Sequence, residues 1–204
     1  MAGRGEQPTK KKTSIRMPKC FMLPQDSLKH ITLLEPIPHW YWKSFAVGKY
    51  YGRDVYLKQI LRPVDDEKQV QTFQSIAAFL TDVHHPNIVQ FLGVVAAPHY
   101  ATWSIVSERL AQGDLATLQK KSTIVLTKEQ IIQILFDVAC ALAYLHGQSP
   151  PMLHRDLRAA SIHITHDFRA KITNFELSGQ LGLNKALVGT PAWVAPEIMR
   201  RDVD

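Results

Sequence analysis

Cysteine is scarce in this chain: the 204 residues hold two, Cys20 and Cys140, far apart in sequence. That excludes a disulfide framework and a cysteine-based metal site, and makes a reducing compartment the expected setting. No run approaches the roughly 18 uninterrupted apolar residues of a membrane span. The opening Met-Ala-Gly-Arg-Gly-Glu-Gln-Pro lacks the apolar stretch of a signal peptide. An intracellular, cytoplasmic protein with no membrane span is therefore expected. No internal repeat and no low-complexity segment is present. Apolar residues at 46% and charged residues at 21% are ordinary globular proportions, which excludes a wholly disordered or collagen-like chain. The length is enough for one or two domains and a sizeable core.

The formal charge of +6 is unevenly spread. Residues 1–30 hold seven basic residues (Arg4, Lys10, Lys11, Lys12, Arg16, Lys19 and Lys29) against Glu6 and Asp26, which leaves the body near neutral. Pro8, Pro18 and Pro24 and the lack of any sustained period predict a basic, mostly disordered leader over residues 1–30. Such an arm can touch acidic partners, but it has no aromatic-basic platform behind it, so nucleic acid is not expected as a partner.

From Ile31 the texture changes. Aromatic and β-branched residues between Trp40 and Ile60, with turns at Gly48 and Gly52, predict consecutive antiparallel strands. Val70, Phe73, Ile76, Ala77 and Leu80 recur at three and four residues and predict a helix with one buried face. Strands are expected over Ile88 to Val95 and Trp103 to Val106, and a break at Gly113-Asp114. Thr127 starts a long helix whose expected buried stripe is Ile131, Ile132, Leu135, Val138, Ala139, Leu142 and Leu145, stopped by Gly147 and Pro150-Pro151. A hairpin from Ser161–Ile164 and Ala170–Ile172 follows. The expected class is α+β, with a strand-rich lobe packed on a helical lobe.

Five motifs fall in order on these elements. Val55-Tyr56-Leu57-Lys58 closes the third strand, and His85-Pro86-Asn87-Ile88-Val89 follows the helix. His154-Arg155-Asp156-Leu157 follows the long helix, Asn174-Phe175-Glu176 follows the hairpin, and Ala195-Pro196-Glu197 closes the series. These are the places where protein kinases carry V-A-I-K, the helix-to-strand joint, H-R-D, D-F-G and A-P-E. The chain thus resembles a protein kinase domain from about Leu34 to Asp204. The small lobe is expected over residues 34–110 and a partial helical lobe over residues 111–204. The spacing Gly48-x-Tyr50-x-Gly52-x-x-Val55 to Lys58, and Gly189-Thr190-Pro191-Ala192-Trp193, are most similar to the tyrosine-kinase-like group of Ser/Thr kinases. His154-Arg155-Asp156-Leu157-Arg158-Ala159-Ala160 is closer to a tyrosine kinase loop. The resemblance stops after A-P-E, so the helical lobe is expected to be incomplete and the sequence a fragment or a truncated domain.

Phosphoryl transfer rests on positioning and charge neutralisation, so each part of the resemblance carries a chemical expectation. It implies Asp156 as the base, with Arg155 bracing its loop and His154 beside them in the catalytic motif. It places Lys58, Tyr56, Glu108 and Leu110 at a nucleotide pocket, and Asn174 and Ser161 at the two magnesium positions. The stretch matching G-x-G-x-x-G is Pro38-His39-Trp40-Tyr41-Trp42-Lys43, without any of the glycines that let backbone amides reach phosphates. The helix glutamate that pairs with the lysine falls on Ile76, leaving Glu67 or Asp82 only in an altered register. Asn174 lacks the full charge of a metal-binding aspartate. Glu176, in place of glycine, brings a carboxylate nearby and restricts the backbone. Tyr56 and His163 narrow the slot where a purine stacks. Leu80, Phe91, His154 and Phe175 match the column that ties kinase lobes together, and are equally core residues.

Two functions follow from the resemblance. One is a catalytically impaired pseudokinase acting in signalling as a binding or allosteric module, with a protein partner such as an active kinase or an adaptor and no cofactor. The other is an active ATP-dependent Ser/Thr or dual-specificity kinase using ATP and Mg2+.

Overall fold

The computed structural model describes residues 22–34, 42, 44–61, 67–97, 102–121, 124–180 and 189–200. Its small lobe is a five-stranded antiparallel sheet in the order β1-β2-β3-β5-β4. The strands are β1 (Leu28–Leu33), β2 (Ser44–Tyr50), β3 (Arg53–Leu61), β4 (Phe91–Ala97) and β5 (Thr102–Glu108), with helix α1 (Glu67–Asp82) between β3 and β4. The second lobe follows as β6 (Gly113–Asp114), α2 (Leu115–Lys120), α3 (Lys128–His146), β7 (Met152–Leu153), β8 (Ile162–Ile164), β9 (Ala170–Ile172), β10 (Gly179–Gln180) and α4 (Pro196–Arg200).

The sheet's two faces are set by the period of two along β3. Val55 and Leu57 point to one face, where they pack with Leu28, Ala46, Val95 and Val106. Tyr56, Lys58 and Ile60 point to the other, toward α1 and the second lobe. The apolar stripe expected on α1 lies as predicted: Val70, Phe73, Ile76, Ala77 and Leu80 are all buried. This inner core continues through Ile88, Ile134, Ala141, Leu145, Ile172 and Phe175. The lobes are therefore joined by apolar packing as well as by the connection after β5.

Three expectations need correction. The leader does not extend to residue 30. Leu23 donates its N–H to Val94 O at 2.8 Å and packs on the outer-face core, Leu28 is buried, and β1 pairs with β2. The strand was hidden because a register shift between Lys29 and Thr32, with His30 at φ 51°, interrupts its alternation. Residues 1–21 of the expected leader lie outside the described residues. The strand expected from Ile88 starts at Phe91, while Ile88 forms an isolated bridge to Ile172.

The buried stripe expected on the long helix holds at Val138 and Leu145 and fails at Ile131, Ile132 and Leu135. Ile134, Asp137, Val138, Ala141 and Leu145 are inside, whereas Ile131, Ile132, Leu135 and Phe136 are 46–63% exposed. Its start was read correctly, with Thr127 as N-cap in a capping box with Gln130. Apolar residues lie on more than one side of this helix, so spacing alone left its rotation undetermined. A buried acid decides it. Asp137 is fully buried and accepts from Arg169 Nη2 at 2.6 Å, Arg169 Nε at 2.9 Å, the Ala170 amide at 2.9 Å and Gln133 Nε2 at 3.0 Å.

That anchor carries a pH prediction. Burial pushes the Asp137 carboxyl upward, but the Arg169, Ala170 and Gln133 bonds more than offset it, so the group sits below its ordinary value. A carboxyl with a depressed folded-state pKa stabilises the fold above its unfolded value of about 4, and that contribution is lost as pH falls through the folded value. The melting temperature is expected to drop as pH falls below about 4, and Asp137→Asn to flatten that drop while lowering stability at neutral pH. An unchanged pH slope in Asp137→Asn would count against this assignment.

Candidate active site

Strand β3 places Tyr56 and Lys58 on the same face, next to each other in the cleft between the lobes. Phe45 sits opposite Lys58 in the β2–β3 register and stacks on Tyr56, ring centroids 6.0 Å apart and planes 25° apart. Trp42, just before β2, is only 2% exposed and meets Phe73 of α1 edge-on at 6.4 Å. An aromatic ring from the segment that matches the phosphate loop is thus packed into the lobe.

The segment after β9 supplies the other wall. Asn174 has the left-handed backbone (φ 66°, ψ 56°) and opens a short turn, Phe175–Leu177. Lys58 Nζ donates to Asn174 Oδ1 and to Glu176 Oε1, each at 2.6 Å. Trp42 Nε1 donates to the same Glu176 oxygen at 2.6 Å, and its ring lies 5.8 Å from Lys58 Nζ. Both side chains of the ion pair are largely hidden, Lys58 at 14% and Glu176 at 5% exposure. Burial pushes the Glu176 carboxyl up, yet the Lys58 charge and hydrogen bond, its own amide and the Trp42 indole bring it below its ordinary value. It is an anion at neutral pH.

Among the described residues the lysine's partner is Glu176 and not Asp82. Asp82 is exposed at the end of α1, the Glu67 side chain lies outside the described residues, and Ile76 is buried in the core. The sequence marked Glu176 as a nearby carboxylate, but its pairing with Lys58 and the role of Trp42 were both missed. An indole in a glycine loop and an acid at a glycine position were the available signals. They meet only because the cleft brings residues 42, 58 and 176 together.

The loop after β7 is held by its own side chains. His154 is buried, its Nε2 lies 2.7 Å from Thr173 O, and its Nδ1 accepts the Asp156 amide at 3.2 Å. Burial lowers its pKa, in keeping with a neutral ring that donates from Nε2. Phe175 packs against His154 at 5.0 Å and against Phe79 at 5.3 Å, and Leu80 and Phe91 lie in or against the same core. Arg155 adopts φ 64°, and its carbonyl faces Gly189 so closely that a Cβ there would lie 2.9 Å from it. Gly189, at φ +118°, thus fits both by space and by backbone.

Asp156 is fully engaged. Its Oδ1 accepts the Thr190 amide at 3.1 Å and the Thr190 hydroxyl at 2.7 Å, while its Oδ2 pairs with Arg158 Nε at 3.2 Å. Ser161 is buried, lies within hydrogen-bond reach of Asp156 O and Arg158 O at 3.0 and 2.8 Å, and accepts the Arg158 amide at 2.9 Å. Its oxygen closes the loop.

Between the lobes lies a cleft of about 260 Å³, lined by Leu34, Tyr56, Lys58, Leu110, His163 and Asn174 among others. Burial raises the Tyr56 phenol to about 12 and lowers His163 to about 4, so both are uncharged at neutral pH. Glu108 also lines it, and is paired with Lys171 at 2.6 Å and with Arg53 at 3.7 Å. The structure thus brings Tyr56, Lys58, Glu108, Leu110 and Asn174 to one cleft. His154, Arg155, Asp156 and Ser161 form the loop below it. Among the described residues no group of three or more His, Cys, Asp or Glu is placed to hold a metal ion, and no helix is long and apolar enough to cross a membrane.

A five-stranded lobe with one helix, a second lobe with a long helix, a lysine in the cleft between them and an aspartate on the loop below it define the two-lobed α+β fold of the protein kinases. Residues 41–203 match the family described as protein tyrosine and serine/threonine kinase, and the chain belongs to it. It is similar to the serine/threonine-protein kinase CTR1 of Arabidopsis thaliana, 33% identical over 162 residues, which cover 75% of this chain and 19% of that protein. It is similar also to the serine/threonine/tyrosine-protein kinase HT1 of the same plant, 32% identical over 161 residues, which cover 75% of this chain and 40% of that protein. The chain thus spans less than half the length of these relatives. The similarity to them agrees with the expected likeness to Ser/Thr kinases of the tyrosine-kinase-like group.

Proposed function

We propose that this protein is a pseudokinase, a kinase domain that serves signalling as a binding or allosteric module for a protein partner such as an active kinase or an adaptor. The observation that carries this reading is the closed group Trp42–Glu176–Lys58–Asn174. A magnesium nucleotide needs a lysine available to its phosphates, room for backbone amides above them, and a carboxylate on the metal. Here Lys58 is committed to Glu176 and Asn174, and Trp42 packs beside it. The Asn174 oxygen faces an ammonium group, and the Ser161 hydroxyl is used by its own loop. These residues do not fit ATP with Mg2+. An intracellular setting belongs to the same reading.

The alternative, an active ATP-dependent Ser/Thr or dual-specificity kinase, draws on the retained Lys58 and on Asp156 beside Thr190. It requires Lys58 to leave a buried partner, an unfavourable exchange unless the nucleotide returns as much.

The expected result is that ATP, with or without magnesium, leaves the melting temperature of the full chain unchanged up to millimolar concentration. A magnesium-dependent rise at sub-millimolar ATP that disappears in Lys58→Met overturns the pseudokinase reading. Incorporation of labelled phosphate that is abolished by Asp156→Asn establishes the alternative.

A further inference from the structure

We propose that the exposed apolar side of helix α3 is the interface of a symmetric dimer, in which the helix packs antiparallel on the same helix of a second copy of this chain. None of its residues lines the cleft between the lobes, so the pairing holds whether or not that cleft takes a nucleotide.

The side of α3 turned away from the core carries Ile132, Leu135, Phe136, Ala139 and Ala143, all exposed, and its three large side chains are 57–63% accessible. Single apolar residues on a surface need no explanation, whereas a continuous row marks an interaction site. This row is continuous. Between Glu129 and His146 the one charged residue of the helix is Asp137, which is buried on the opposite side. A groove of about 420 Å³ between α2 and α3, lined by Leu115, Val125 and Ile131 among others, extends the same surface.

The spacing defines the occupant. Lys128, Ile132, Leu135, Ala139, Leu142 and His146 follow one another at alternating steps of four and three, the period of a seam between two helices. Bulk is unevenly spread along it, with Ile132, Leu135 and Phe136 toward the N-terminus and Ala139 and Ala143 toward the C-terminus. A parallel copy sets large against large and leaves a gap at the alanines. An antiparallel copy, related by a two-fold axis at the level of Asp137, sets Leu135 and Phe136 against the partner's Ala139 and Ile132 against the partner's Leu142. It also brings Glu129 to the partner's His146 and opposes the two helix dipoles. Each contact is made twice, as a two-fold interface requires. The chain's own residues 1–21 suit this face poorly: they hold six Lys/Arg against Glu6 and no apolar period, and the row offers them no carboxylate between Glu129 and His146.

Sedimentation equilibrium on the full chain up to about 100 µM tests the pairing. The mass is expected to rise to twice that of one chain. Leu135→Lys and Ala139→Glu are each expected to weaken the dimer by about a hundredfold. Both positions are exposed, so the far-UV spectrum of each variant is expected to match the parent; if Leu135→Lys fails to fold, Leu135→Ser carries the same test. Combining Leu135→Lys with Ala139→Glu sets each new ammonium group opposite the partner's new carboxylate and is expected to recover the dimer by about tenfold or more over either single variant. A parallel pairing gives no such recovery, because it sets like charges opposite one another. A chain that stays monomeric, a dimer that survives Leu135→Lys, a double variant no better than the singles, or an open-ended assembly overturns the proposal. A chain that dimerises only after removal of residues 1–21 assigns the face to that leader and overturns it as well.

Discussion

Replacing Glu176 with alanine is expected to lower the melting temperature by about 6–20 °C. Lys58 and Glu176 form a largely buried pair at 2.6 Å, and removing the acid leaves an ammonium group in the cleft with only the Asn174 oxygen opposite it. Breaking such a pair costs about 3–5 kcal/mol, and each kcal/mol shifts the midpoint of a chain of this size by about 2–4 °C. The acid also accepts the buried Trp42 indole, which would lose its partner. Glu176→Gln keeps an acceptor for both donors and is expected to cost less. Adding Lys58→Met to Glu176→Ala is expected to recover part of the loss, because no uncompensated charge is then left. A differential scanning experiment on the four proteins measures this coupling directly. A shift under about 2 °C for Glu176→Ala would show that the pair is not buried in solution.

Trp42→Ala is the second large effect, with an expected loss of about 3–5 kcal/mol read as a fall in the urea midpoint. The ring is 2% exposed and packs edge-on against Phe73, so its removal opens a cavity beneath the small lobe and removes the indole donor to Glu176. Trp42→Phe retains most of the ring and separates the two contributions, since a hydrogen bond to a charged acceptor contributes about 1.5–3 kcal/mol. The two alanine variants share one network and are not expected to add when combined. A loss below about 1 kcal/mol in Trp42→Ala would mean that this indole does not fill the phosphate end of the cleft.

Much of the small lobe was legible before any coordinates. The α1 stripe reads directly from Val70 to Leu80 because only one of its faces is apolar, and a single stripe fixes a helix's rotation. The α3 helix has apolar residues at Ile131, Ile132, Leu135 and Phe136 as well as at Ile134, Val138, Ala141 and Leu145, so periodicity offered two answers. The buried bonds of Asp137 to Arg169 and Ala170, 32 and 33 residues away, selected one of them. The strand β1 escaped notice because its bulge breaks the alternation on which strand recognition depends.

The cleft divides in the same way. Motif order placed Lys58, Asp156, Asn174 and Glu108 in one chain of expectations, and residue type alone showed that Ile76 is no partner for a lysine. Short-range spacing along β3 also determined that Tyr56 and Lys58 share a face, since alternation is a property of the strand itself. What only the tertiary structure decided is where the lysine's charge goes. Glu176 lies 118 positions from Lys58 and 134 from Trp42, across the cleft. Nothing local links them, and a buried ammonium takes whichever acceptor the packed lobes bring within reach.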